Sequence, residues 1–179
     1  MKTTGVETIR EVENNGASAK RRASALADRI LQGAEDLAAF AEGLSEEEWL
    51  RPVSAHDKRP IGVIVHHVGY MYGPEIDAAR TIASGKPFME ITWEVVAEIN
   101  AKHAAENANV TQADAIEFLR RNSREAAVAV RNFTDAELDQ AAPFGLSFGA
   151  PVTAQFVIED HPLRHSWHHL DRIRKAVGR

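Results

Sequence analysis

The chain of 179 residues contains no cysteine at all. Disulfides, thiolate metal sites and a cysteine nucleophile are thereby excluded, and any thiol chemistry must use a thiol brought in from outside. Long apolar runs are also lacking. No stretch approaches the ~20 residues needed to span a bilayer, and the opening MKTTGVETIR has no apolar core of the signal-peptide kind. These two absences lead us to expect a cytoplasmic chain with no membrane partner. Basic residues are not in excess: the formal net charge is −5, which argues against nucleic acid as a partner, because phosphate binding demands a basic face. Strand signals are few, with no alternating run bounded by turn residues, and no internal repeat is visible.

What is present is ordinary for a globular protein: 44% apolar and 26% charged residues, in a length that suits one compact domain. Residues 1–17 are polar, carry Gly5, Asn14, Asn15 and Gly16, and show no apolar period, so a flexible N-terminal arm is expected there and a single helical domain over 18–179. From Ser18 onward Leu26, Ile30, Leu37, Ala41 and Leu44 recur at helical spacing. Ser45 with Glu48 forms a capping-box pattern that opens a short turn bearing Trp49, and the proline-containing stretch from Leu50 to Pro60 reads as a loop. Pro60 suits the first position of a second helix with a buried stripe of Ile61, Ile64, Val65, Val68, Tyr72 and Ile76. Gly73-Pro74 should kink that helix, and Gly85 to Pro87 should close it.

Further helices are expected from Thr92 and from Thr111, and Thr134 with Glu137 makes a second capping box. The strongest break is AAPFGLSFGAP, from Ala141 to Pro151. After it, Val152 to Val177 reads as one terminal helix stopped by Gly178. Pro162 stands against that reading, because an interior proline costs up to ~3 kcal/mol unless the helix bends or starts afresh. The sum is an all-α bundle.

Eight histidines are present, four of them within HPLRHSWHH. His161, His165 and His169 follow one another at four-residue steps, each turning only about 40° on a helix, so neighbours in the row share a face. Val157 and Ile173 continue the row in apolar character, which places it toward an interior, where an imidazole needs a partner and a metal ion supplies one. A single HxxxH pair is more often chance, and a histidine near a helix C-terminus also complements the helix dipole without any ligand. A second source of histidine strengthens the metal reading: His66-His67 within IGVIVHHVGYMY. Only one of two adjacent residues, about 100° apart, can face a site, and His67 shares its face with Ile64 and Met71. His67, His165 and His169 are therefore the candidate ligands. His56 and His103 lie in polar stretches and read as solvated, and His168 should point away from the face of His169. No carboxylate to orient these imidazoles is evident, since Glu159, Asp160 and Asp171 aim elsewhere. Three neutral imidazoles suit zinc, nickel, iron or copper and leave a fourth position open. An ion there can lower the pKa of a bound water or thiol to about 7.

IGVIVHHVG resembles the second-helix signature of the DinB-like superfamily, and HSWHHLDRI resembles that superfamily's terminal-helix signature. In that register His165 and His169 are the pair and His67 the third ligand. The resemblance covers about residues 18–177, with two departures: Arg172 stands where glutamine is common, and Pro162 with His161 is atypical, so His161 with His165 stays open as the alternative pair. It implies a DinB-like four-helix bundle with a short additional helix, a divalent metal (zinc or nickel foremost) on its axis, and a homodimer. It also implies chemistry with a low-molecular-weight thiol such as mycothiol or bacillithiol, by transfer or by maleylpyruvate isomerisation. TWEVVAEINAKHAAE is similar to the mid-chain segment of the mycothiol-using branch, which would bring Asn100 and His103 to the pocket as cofactor-binding residues. No catalytic residue is singled out, and Arg164 and Arg172 compete as steering residues for an anionic substrate. The competing readings are a non-catalytic metal- or ligand-binding stress protein and a purely structural bundle with ordinarily hydrogen-bonded histidines.

Overall fold

The structure is a computed structural model, which describes residues 21–179; the N-terminal arm expected over 1–17 lies outside the described residues. Four long helical segments carry the architecture. Helix α1 (Arg21–Glu42) packs on α5 (Gln112–Arg131) and on α8 (Arg164–Val177), while α3 (Ile61–Ala83) packs on α5 and on the segment leading into α8. Short helices fill the connections: α2 (Glu46–Leu50), α4 (Trp93–Glu106), α6 (Asp135–Asp139) and α7 (Ala154–Ile158).

The apolar stripes expected from the sequence are the core. Leu26, Ile30, Leu37 and Ala41 of α1 meet Ala115, Leu119, Ala127 and Val130 of α5, all buried. In α3 the apolar residues Ile61, Ile64, Val65, Val68, Tyr72 and Ile76 are likewise buried. Both capping boxes form: Ser45 and Glu48 close reciprocally on α2, and Thr134 and Glu137 do so on α6. Thr92 and Thr111 cap α4 and α5 through their side chains. Gly178 ends α8 in the left-handed region at φ 76°.

Three expectations are corrected. Pro60 sits just before the first turn of α3 with extended backbone and is not its first helical residue; the helix itself continues through Pro74. The stretch after Thr134 is not devoid of strand, because Ala141–Pro143 (β1) pairs antiparallel with Pro151–Thr153 (β2) around a 3-10 turn at Gly145–Ser147. The terminal helix therefore starts at Ala154, capped by Thr153, rather than at Val152. Two prolines at the ends of so short a ladder hide it from any period-2 pattern.

Nor is that terminal helix a single α-helix. Glu159–Leu163 forms a π-helical turn containing Pro162, and α8 begins at Arg164. An interior proline has no N–H to give and its ring collides with the carbonyl four residues back; a wider turn moves that carbonyl aside. The extra residue in the turn also takes His161 out of the row that His165 and His169 share.

Candidate metal centre

His67 lies in the middle of α3, facing α8. His165 and His169 stand one turn apart on α8, just after the π turn has absorbed Pro162. The three rings converge. Centroids are 5.1 Å apart for His67 and His165, 5.7 Å for His67 and His169, and 4.8 Å for His165 and His169. One nitrogen from each ring lies within 4.8 Å of the others, close enough for small ring movements to bring all three to the 2.0–2.1 Å typical of zinc–imidazole bonds.

Electrostatics favour lone pairs over protons here. Burial, reinforced by the neighbouring His165 and by the Arg59 guanidinium, pushes the pKa of His67 down to about 2. Burial, with His165 and His67 beside it, holds His169 well below the usual imidazole range. Both rings are neutral at physiological pH, the state a metal ligand requires.

Glu75, also on α3 and only 7% exposed, accepts a hydrogen bond from His165 Nδ1 at 2.7 Å. The proton is thereby held on Nδ1, and Nε2 keeps its lone pair for an ion, as in carboxylate–histidine–metal triads. Sequence reasoning missed this carboxylate because it searched near the HxxxH pair, whereas Glu75 is 90 positions away in the chain. A signal was available: His67, Met71, Glu75 and Ala78 form one row of α3, and a carboxylate in a buried row needs a reason.

The second histidine layer departs from expectation as well. His103 is not solvated: it is 2% exposed, and its Nε2 shares a 2.8 Å hydrogen bond with Nδ1 of His66. Its ring meets His67 edge-on at 5.4 Å, and burial, with His66 beside it, pushes its pKa down to about 4. His66 itself stacks between His103 and Phe118, away from the triad. His161 is outside the triad too, its ring edge-on to Phe144 at 5.4 Å, so the alternative pair is not assembled. His168 does not turn away fully; it borders the cavity beside His169, with centroids 5.0 Å apart. His56 is exposed in its loop, as expected.

The triad opens on a cavity of about 310 Å³, at the small end of ligand-site volumes. Phe88, Ile91, Trp93, Val96, Phe144 and Leu146 form its apolar wall, and Asn100 reaches it from α4. The loop around Phe88 is tied to the β1–β2 hairpin, Phe88 N–H donating to Pro143 O and Gly145 N–H to Phe88 O, both at 2.9 Å. Gly145 is required there: a Cβ would stand 2.0 Å from the Ile91 carbonyl oxygen.

Buried polar atoms without a partner among the described residues concentrate around this cavity. They include Nδ1 of His67, His169 and His103, Oε2 of Glu75 and Oδ1 of Asn100. Each such atom costs about 1–3 kcal/mol, and native proteins retain them where an ion, water or ligand satisfies the site. The donor set of buried neutral imidazoles, backed by a carboxylate, fits a divalent transition-metal ion.

With this geometry in place, comparison with known proteins is informative. A family model described as the DinB superfamily matches residues 29–173. The chain belongs to the DinB superfamily. The match spans α1 through most of α8 and so includes all three convergent histidines and Glu75. No match was found among curated proteins or among solved structures. Among the described residues, no helix of this DinB-superfamily chain is long and apolar enough to cross a membrane.

Proposed function

We propose that the chain is a metal-dependent enzyme that uses a low-molecular-weight thiol of the mycothiol or bacillithiol kind, as a transferase or isomerase, with zinc or nickel held by His67, His165 and His169. The observation that carries this reading is the opening of a three-imidazole donor set onto a ligand-sized, largely apolar cavity. Three protein ligands with an open side are the mark of catalytic sites, whereas structural sites close all four positions. A divalent ion bound there supplies Lewis acidity, lowering the pKa of a thiol or water that joins its ligands.

The chain's own residues have separable tasks. Glu75 fixes the proton of His165 on Nδ1, and burial keeps His67 and His169 unprotonated. The apolar wall excludes bulk water from the reacting groups. Among the described residues, no serine, threonine, tyrosine or lysine lines the cavity, and the chain has no cysteine, so a thiol nucleophile has to enter with the substrate. Asn100, which borders the cavity with a carbonyl oxygen free to accept, is the residue we assign to holding the thiol cosubstrate; His103, expected beside it, lies behind His67 and does not line the cavity.

The test is a conjugation assay at matched metal occupancy, pairing physiological thiols with a soluble electrophile. Thiol-dependent turnover that disappears on chelation and returns with zinc or nickel is expected. Stoichiometric metal binding without turnover for any thiol would instead favour a non-catalytic metal-binding role.

A further inference from the structure

Arg59 closes the loop before α3 and borders the same cavity as His67, Glu75 and His165. Its guanidinium is held from behind by Asp57. Nε donates to Oδ1 at 2.9 Å and Nη2 to Oδ2 at 2.7 Å. Arg172 donates to the same Oδ2 at 2.9 Å. One carboxylate thus serves two guanidinium groups, and the cluster carries an excess positive charge. The Arg59 bond, aided by that from Arg172, holds the Asp57 carboxyl well below the usual carboxylate range, so Asp57 stays an anion whose acceptor capacity is already engaged.

The remaining nitrogen of Arg59, Nη1, is buried and donates to nothing among the described residues. The acidic groups at the cavity have partners of their own: Glu75 accepts from His165 through Oε1, leaving Oε2 unpartnered, and Asp160 pairs with the largely exposed Arg164 at 3.1 Å. A guanidinium fixed in orientation, with an unused donor beside an apolar chamber, is suited to a carboxylate, whose two oxygens match its planar fork.

We propose that Arg59 is the anion-binding residue of this cavity, and that the cavity's ligand is a small molecule joining a carboxylate to an apolar body. The carboxylate meets Arg59 beside the triad, and the body lies against Phe88, Trp93, Val96 and Phe144. This assignment rests on the cavity being a substrate site, as proposed above, and not on the identity of the ion. It also separates Arg59 from Arg172, which serves to keep Asp57 charged and in place.

The experiment titrates the full chain, chelator-treated and zinc-loaded, with 4-phenylbutyrate and with its uncharged amide, 4-phenylbutanamide, by protein-observed NMR. The acid should bind roughly tenfold or more tightly than the amide in both forms, as a charge-assisted pair implies. Arg59→Met should abolish that preference, and Arg59→Lys, which keeps the charge but not the fork, should retain part of it. The Lys variant also serves as the reading if Met disturbs the fold. Displacement of the acid by N-acetylcysteine would assign the carboxylate to the thiol, and simultaneous binding would assign it to the electrophile; both keep the Arg59 contact. Equal affinity for acid and amide in the wild type, a preference that survives Arg59→Met, or failure of both compounds to bind would overturn the proposal. A preference lost only on chelation would place the carboxylate on the ion and equally overturn it. Intact preference in a protein that takes up no zinc would leave Arg59 standing and remove the metal-centred reading.

Discussion

At the scale of single residues, the chemistry of the site depends on which ring nitrogen carries a proton. Glu75 decides this for His165 by accepting the hydrogen bond of Nδ1–H at 2.7 Å, which keeps the proton on that nitrogen. Glu75→Gln should therefore leave the helical spectrum unchanged while weakening metal affinity about 10- to 100-fold, the usual effect of losing such a partner. Competition with a coloured chelator measures it; unchanged affinity would show that Glu75 has no part in holding the ion. The buried rings also set the acid stability of the metal-free protein. An unfolded imidazole titrates near 6.5, whereas His67 is held down to about 2 and His169 well below the ordinary value by burial. Below about pH 6.5 the unfolded chain binds protons that the folded chain refuses, so this contribution to stability is intact above that pH and falls as pH drops toward the folded values. At pH 5 the His67 ring alone costs about 2 kcal/mol relative to pH 8, and His169 adds a loss in the same direction. Urea unfolding of metal-free protein at the two pH values should show that loss, and His67→Asn, which removes a titrating group, should reduce it. The triad itself was legible from the sequence: helical phase distinguished His67 from His66 and His169 from His168, and the DinB-like resemblance favoured His165 with His169 over His161 with His165. Glu75 and the burial of His103 were not, because each depends on which helix packs against which.

Among the secondary-structure elements, the parts that shape the site are the ones least visible in the sequence. The stripes of α1, α3 and α5 and the side-chain caps of α4 and α5 follow from local spacing and stand where that spacing puts them. The π turn at Glu159–Leu163 and the β1–β2 ladder were hidden, the first because Pro162 changes the geometry inside a stretch that otherwise reads as helix, the second because its three-residue strands carry prolines and show no alternation. Pro162 was recognised as an objection to a single terminal helix; the wider turn is how the chain answers it. Gly145 tests the second of these elements. A methyl group there meets the Ile91 carbonyl, which is backbone and has little room to give. Gly145→Ala should cost about 1–3 kcal/mol or more and loosen the cavity wall around Phe88. Chemical denaturation reads the loss, and faster exchange of the Phe88 and Gly145 amides would place it at the hairpin.

For the whole molecule, the bundle brings together groups that lie about a hundred residues apart in the chain and would repel protons rather than attract them in the absence of a ligand. Ligand binding to the native state alone stabilises by mass action, so zinc in hundredfold excess over its dissociation constant should add about 2.7 kcal/mol to the unfolding free energy. Thermal unfolding with and without chelator checks this, and an identical midpoint in both would mean that no ion is bound by the folded form. All-helical character and membership of the DinB superfamily were within reach of the sequence, because periodic stripes and two histidine-bearing signatures survive without any knowledge of packing. The cavity, and the cluster of unpartnered polar atoms around it, belong to the assembled fold alone.

The most direct measurement is an anomalous-difference map from crystals grown with zinc or nickel and without chelating buffer. One strong peak per chain, within bonding distance of nitrogens from His67, His165 and His169, is the expected result. A map with no peak between those three rings, in crystals of protein that carries metal elsewhere or not at all, would contradict the assignment of these histidines as a metal centre.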